Sequence, residues 1–180
     1  MTITLVTGGV RSGKSRFAET LAKEVSPSVL YVAFGVSVDH EMEQRINKHQ
    51  IRRPKEWELL EEPYNLLNGV HIYQSYGCIL VDCIETWVSN QCIRIPEEQL
   101  KNPEYSAAIL EEINEWLAHI SELNCPIIIV TSETGLGGVA MSPLGRFFQD
   151  VLGEANQLIA ERADEVYAVM SGIPMRIKPC

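Results

Sequence analysis

The sequence predicts an α/β fold: a mostly parallel sheet flanked by helices. Three observations lead there. Short β-branched, apolar runs recur along the chain, segments with helical spacing lie between them, and a glycine-rich loop occupies the first junction of the two. Strand alternating with helix is the pattern of a sheet covered on both faces, with its ligand-binding edge at the carboxyl ends of the strands.

The first run, Ile3-Thr4-Leu5-Val6-Thr7, ends at Gly8-Gly9 and reads as a buried strand entering a loop. Similar runs at 29–33, 78–81, 126–131 and 166–170 bring the expected number of strands to five. Helical spacing covers 14–24, 39–52, 104–123 and 144–163. In the third of these, Ile109, Ile113, Trp116, Leu117 and Ile120 recur three or four residues apart and form one apolar stripe. Local patterning leaves the strand order open.

Length and composition set the outer bounds. A chain of 180 residues with 46% apolar residues and no low-complexity tract is expected to form one domain over residues 1–180. A net charge of -9 opposes binding to bulk nucleic acid or an anionic membrane, so any phosphate site must be local. No signal-peptide pattern and no run as long as a membrane span is present, and a cytoplasmic location is expected. Cys78, Cys83, Cys92, Cys125 and Cys180 are odd in number and contain no Cys-x-x-Cys pair, which signals neither a disulfide framework nor a zinc site.

Chemistry enters with Gly8-Gly9-Val10-Arg11-Ser12-Gly13-Lys14-Ser15, which fits G-x-x-x-x-G-K-[ST] between a predicted strand and a predicted helix, the context of a P-loop NTPase-like fold. Glycines let successive N–H groups turn inward, and the helix that follows adds its partial positive charge. Lys14 is then expected at the β- and γ-phosphates, and the Ser15 hydroxyl on Mg²⁺. Asp82 closes the run Ile79-Leu80-Val81, the position from which a strand delivers a carboxylate to the ligand edge. It is a candidate to hold Mg²⁺ or to orient or deprotonate an attacking hydroxyl; a helix cap is the alternative.

A second informative stretch runs through Arg45, His49 and Arg52 to Arg53-Pro54. The spacing puts Arg45, His49 and Arg52 on one helical face, and Pro54 stops the helix. The helix C-terminus favours the imidazolium of His49 while the arginines favour the neutral ring, and from the residues alone this charge-rich helix reads as a solvated face rather than a catalytic one.

Taken together these segments resemble the bifunctional adenosylcobinamide kinase/adenosylcobinamide-phosphate guanylyltransferase family nearly end to end. The residues that carry the likeness are Val6 through Arg16, Arg45-Ile46 with His49, Arg53-Pro54, Trp57, Glu61, Leu80-Val81-Asp82-Cys83, Ser89-Asn90, Glu133 with Gly135-Leu136-Gly137, Asn156-Gln157, Ala163-Asp164-Glu165-Val166 and Ser171-Gly172-Ile173-Pro174. The resemblance implies that His49 takes GMP from GTP as a covalent phosphoramidate. It also implies nucleotide contacts at Ala33, Phe34 and Gly35, at Gln50, Ile51, Arg52 and Arg53, and at Glu61 and Asp82. The implied substrates are adenosylcobinamide and its phosphate with GTP, or ATP in the kinase step, and the implied assembly is a homotrimer. The chain departs from the family pattern at 138–143, at Glu154 and at Glu85. Two other readings of the phosphate loop are a P-loop kinase of another small alcohol and a GTP-dependent switch. Against the switch, Asn47-Lys48-His49-Gln50 lacks the Asp of the guanine-reading Asn-Lys-x-Asp motif.

Overall fold

The computed structural model describes residues 2–35 and 54–179. Its strands are β1 (Ile3–Gly8), β2 (Val29–Ala33), β3 (Glu58–Glu61), β4 (Cys78–Asp82), β5 (Ile127–Val130), β6 (Glu165–Met170) and β7 (Ile173–Lys178). Its α-helices are α1 (Lys14–Val25), α2 (Ile84–Ile93), α3 (Pro103–Ser121) and α4 (Pro143–Arg162). The sheet has seven strands in the order β3-β2-β4-β5-β1-β6-β7. All neighbours pair in parallel except β6 and β7, which are antiparallel at one edge.

All five expected strands are present, and helices occur where 14–24, 104–123 and 144–163 predict them. The segment 39–52 lies outside the described residues. Two strands and one helix exceed the expectation. Strand β3 is Glu-Leu-Leu-Glu, mostly exposed and lacking a β-branched run, and is a strand because it pairs with the rim of β2. Strand β7 contains Pro174, which argues against a central strand but is tolerated at an edge. Its register is set by Ser171 and Gly172, both with positive φ (53° and 81°), the backbone of a tight two-residue hairpin turn. Helix α2 buries Ile84, Trp87, Val88 and Cys92, a helical spacing carried by β-branched and aromatic residues that also suit a strand.

Alternation along the central strands divides the core into two layers. Ile3, Leu5, Ile79, Val81, Ile127 and Ile129 face one side, where α2, α3 and α4 cover them with Trp87, Ile113, Trp116, Leu117, Leu152 and Ile159. Val6, Leu80, Ile128, Val130 and Val169 face the other, against Ala18 and Ala22 of α1. The small alanines let α1 lie close across β1, β5 and β4, and this carries the first turn of α1 from the end of β1 toward the end of β4. Caps fix the starts of the two long helices: the side chain of Asn102 accepts from the Glu104 N–H at 3.0 Å, and that of Ser142 accepts from Gly145 N–H at 3.0 Å, each with proline in the next position.

Cys78, Cys83, Cys92 and Cys125 are free thiols. Burial pushes the Cys78 and Cys83 thiols up to about 12; Cys78 is buried in the core and Cys83 is partly buried against it. Among the described residues no helix is long and apolar enough to cross a membrane.

Candidate active site

The site is built along the carboxyl edge of the sheet. Strand β1 ends at Gly8, whose φ is 154° and whose missing side chain leaves room for the Val169 carbonyl and the Ser12 hydroxyl. Arg11 (φ 56°) and Gly13 (φ 99°) turn the loop into α1. The turn between β6 and β7 braces it from outside: Gly172 N–H donates to the Ser12 carbonyl at 2.8 Å, and a Cβ on Gly13 would meet the Gly172 Cα at 3.2 Å. Gly13 occupies the N-cap of α1, and among the described residues no side chain caps the helix. Its first N–H groups are left for an anion, where the helix dipole adds to the attraction.

Lys14 Nζ donates to the Gly9 carbonyl at 3.3 Å, folding the ammonium over the loop. In the next position, Ser15 Oγ donates to Asp82 Oδ1 at 3.2 Å. The other carboxylate oxygen, Oδ2, accepts from the Tyr31 hydroxyl at 2.7 Å. Two hydroxyl donors on opposite oxygens fix the plane of the Asp82 carboxylate. This oxygen-only pair of a serine hydroxyl and an ionisable carboxylate suits Mg²⁺, which keeps several water and phosphate oxygens and needs few protein ligands.

On the far side of Asp82, Ala33 ends β2 and is registered with Glu61, the last residue of β3. Phe34 is 2% exposed, so its side chain belongs to the core and only its backbone borders the edge. Its carbonyl accepts from Asn90 Nδ2 at 2.8 Å, and the same amide donates to the Pro63 carbonyl at 2.9 Å, tying the segment after β2 to the segment after β3. Gly8 through Ser15, Asp82, Ala33, Phe34, Gly35 and Glu61 thus share one edge. His49, Gln50, Ile51, Arg52 and Arg53 lie outside the described residues.

Sequence reasoning assigned no part to Tyr31, because a tyrosine in an apolar strand carries no signal of its partner. Asn156 and Glu133 carry the family likeness, but no sequence signal gives their partners in the clamp beyond β5. There Thr131 Oγ1 donates to Asn156 Oδ1 at 2.6 Å, and Asn156 Nδ2 returns a bond to the Ser132 carbonyl at 2.9 Å. Thr131 N–H and Glu133 N–H also donate to the Val6 and Gly8 carbonyls at 3.0 and 3.1 Å, so the segment after β5 lies along the root of the loop.

A glycine-turned loop, a helix start without a side-chain cap and a hydroxyl–carboxylate pair at the carboxyl edge of a parallel sheet are the arrangement of the P-loop class of folds. A family model described as cobinamide kinase / cobinamide phosphate guanyltransferase matches residues 4–177. The chain is 39% identical over 175 residues to the bifunctional adenosylcobalamin biosynthesis protein CobP of Pseudomonas aeruginosa, covering 97% of this chain and 96% of that one. It is 38% identical over 181 residues to the bifunctional adenosylcobalamin biosynthesis protein CobU of Escherichia coli (97% and 98%). To the protein of the same name from Salmonella typhimurium it is 39% identical over 182 residues, with the same coverage. The chain belongs to the cobinamide kinase / cobinamide phosphate guanyltransferase family, a family of enzymes.

Proposed function

We propose that this chain carries out two transfers with one nucleotide site. It phosphorylates the aminopropanol hydroxyl of adenosylcobinamide with GTP or ATP, then passes GMP from GTP to that phosphate, giving adenosylcobinamide-GDP. The observation that carries this reading is the bond from Ser15 Oγ to Asp82 Oδ1 beside the uncapped start of α1. It supports a triphosphate lying along the loop with Mg²⁺ held by Ser15 and Asp82. A metal ion held there would offset the negative charge that builds on the phosphate oxygens during transfer.

In the kinase step Lys14 and the loop amides bind the β- and γ-phosphates and stabilise the charge that moves onto the leaving diphosphate. In the second transfer a neutral His49 imidazole attacks the α-phosphorus. A P–N bond forms, the P–O bond to the β-phosphate breaks, and pyrophosphate leaves with the electron pair. The acceptor phosphate then attacks the same phosphorus, breaking the P–N bond and restoring His49. Gln50, Ile51, Arg52 and Arg53, with Ala33, Phe34, Gly35 and Glu61, are proposed to contact the nucleotide. We further propose a single domain over 1–180, a homotrimer and a cytoplasmic location.

Incubating the protein with α-labelled GTP and Mg²⁺ tests the covalent route. The expected result is an acid-labile, alkali-stable label on the chain that is released on adding cobinamide phosphate. Product formation with no labelled protein at any time would exclude the histidine intermediate.

A second expectation concerns the metal. Asp82→Asn keeps the side-chain shape but removes the charge facing Ser15, so nucleotide binding persists while the Mg²⁺ concentration for half-maximal turnover rises about 10- to 100-fold. A titration of turnover against Mg²⁺ reads this directly. An unchanged curve would leave Asp82 with a purely structural role.

A further inference from the structure

The kinase acceptor is a hydroxyl, which must lose a proton as it attacks phosphorus, whereas the guanylyl acceptor is a phosphate that is already ionised. The first transfer therefore gains from a general base and the second does not. Asp82 is poorly placed for that task, since its two oxygens accept from Ser15 and Tyr31.

Another carboxylate stands at the same edge. Glu85 lies in the first turn of α2, three residues after Asp82. Its Oε2 accepts a hydrogen bond from Ser132 Oγ, while Oε1 has no hydrogen-bond partner among the described residues. Ser132 is 1% exposed and its carbonyl is held by Asn156, so the donor is fixed. The strand order decides where this bridge sits. Strand β5 lies between β1 and β4, Val130 is registered with Asp82, and Glu133 N–H donates to the Gly8 carbonyl. Ser132 thus follows the strand that lies between those carrying Asp82 and the phosphate loop, and the Glu85–Ser132 contact joins the first turn of α2 to that point of the carboxyl edge.

We propose that Glu85 is the catalytic base of the kinase step, an inference that rests on the proposed two-transfer reading. The acceptor oxygen forms a bond to the γ-phosphorus, the bond from that phosphorus to the β,γ-bridging oxygen breaks, and the nucleoside diphosphate leaves with the electron pair. The hydroxyl proton passes to Glu85 Oε1. Ser132 is a positioning residue that orients the carboxylate.

The test compares Glu85→Gln, Ser132→Ala and Glu133→Gln with the unmodified protein, measuring cobinamide phosphorylation and, with cobinamide phosphate supplied, guanylyl transfer. Glutamine keeps the shape and the bond from Ser132 but takes up no proton. Its kinase kcat is expected to fall about 100-fold or more at a nucleotide KM within about threefold of normal, while guanylyl transfer persists. Ser132→Ala is expected to lower the kinase kcat about tenfold, again at unchanged nucleotide KM. Full kinase turnover in folded Glu85→Gln overturns the inference, as does an equal loss of both transfers. So does a loss confined to Glu133→Gln, or a lower melting temperature with both rates intact, which would mark Glu85 as a helix-dipole residue alone. If the unmodified protein phosphorylates no cobinamide, the two-transfer reading fails first.

Discussion

Lys14→Ala is expected to abolish both transfers and leave the fold intact. The side chain sits half-buried over the loop, and its described contact is a 3.3 Å bond to the Gly9 carbonyl, an interaction of about 1 kcal/mol or less in the folded chain. In the proposed nucleotide complex the same ammonium faces the phosphates on which charge accumulates. Removing such a preorganised donor costs about 3 kcal/mol or more in the transition state, a factor of about 100 or greater in rate. In the proposed scheme one loop serves both transfers, so the two activities should fall together. Paired kinase and guanylyl assays, with a thermal melt as the folding control, check this. Near-normal guanylyl transfer in a folded variant would mean that the α-phosphoryl chemistry uses a different site.

His49→Ala should divide what Lys14→Ala destroys together. Moving the γ-phosphoryl directly to a hydroxyl needs the loop, the metal and alignment but no imidazole. Guanylyl transfer by the covalent route needs a nitrogen nucleophile, and alanine has none. The variant is expected to lose the GMP label and guanylyl transfer, by at least the roughly 100-fold limit of ordinary assays, while retaining measurable kinase activity. Some kinase loss is compatible with the scheme, because Arg45 and Arg52 share the predicted face with His49. Wild-type guanylyl transfer would exclude the covalent mechanism, and loss of the label in Lys48→Ala instead would assign the nucleophile to its neighbour. Set beside Glu85→Gln, the pair makes a double dissociation: one variant loses the transfer to an ionised phosphate, the other the transfer to a hydroxyl.

The two variants also mark different kinds of knowledge. His49 came from a resemblance, since its residue neighbours by themselves read as a solvated helix face. Glu85 stood out in the sequence only as a departure from a pattern, and its partner Ser132 is 47 residues away. Nothing in the spacing of either residue announces the other.

What the sequence by itself determined was local. Gly8, Gly13, Lys14 and Ser15 specify a loop because backbone freedom, a cation and a hydroxyl are needed within one turn of chain, and the strand before and helix after are read from period alone. The end of β4 located Asp82 on the same terms, and the apolar stripe of α3 was visible residue by residue. Tertiary structure decided what those parts meet. Asp82 gains Ser15 from 67 residues away and Tyr31 from 51 residues away, because the alanine face of α1 lies across the sheet and β2 sits beside β4. The bracing hairpin, the edge strands β3 and β7, and the placement of β5 between the loop and Asp82 depend equally on packing. Period and propensity act over a few residues, whereas strand order is chosen by how both faces of the whole sheet are covered, and that choice brings Glu85 and Ser132 together at the carboxyl edge.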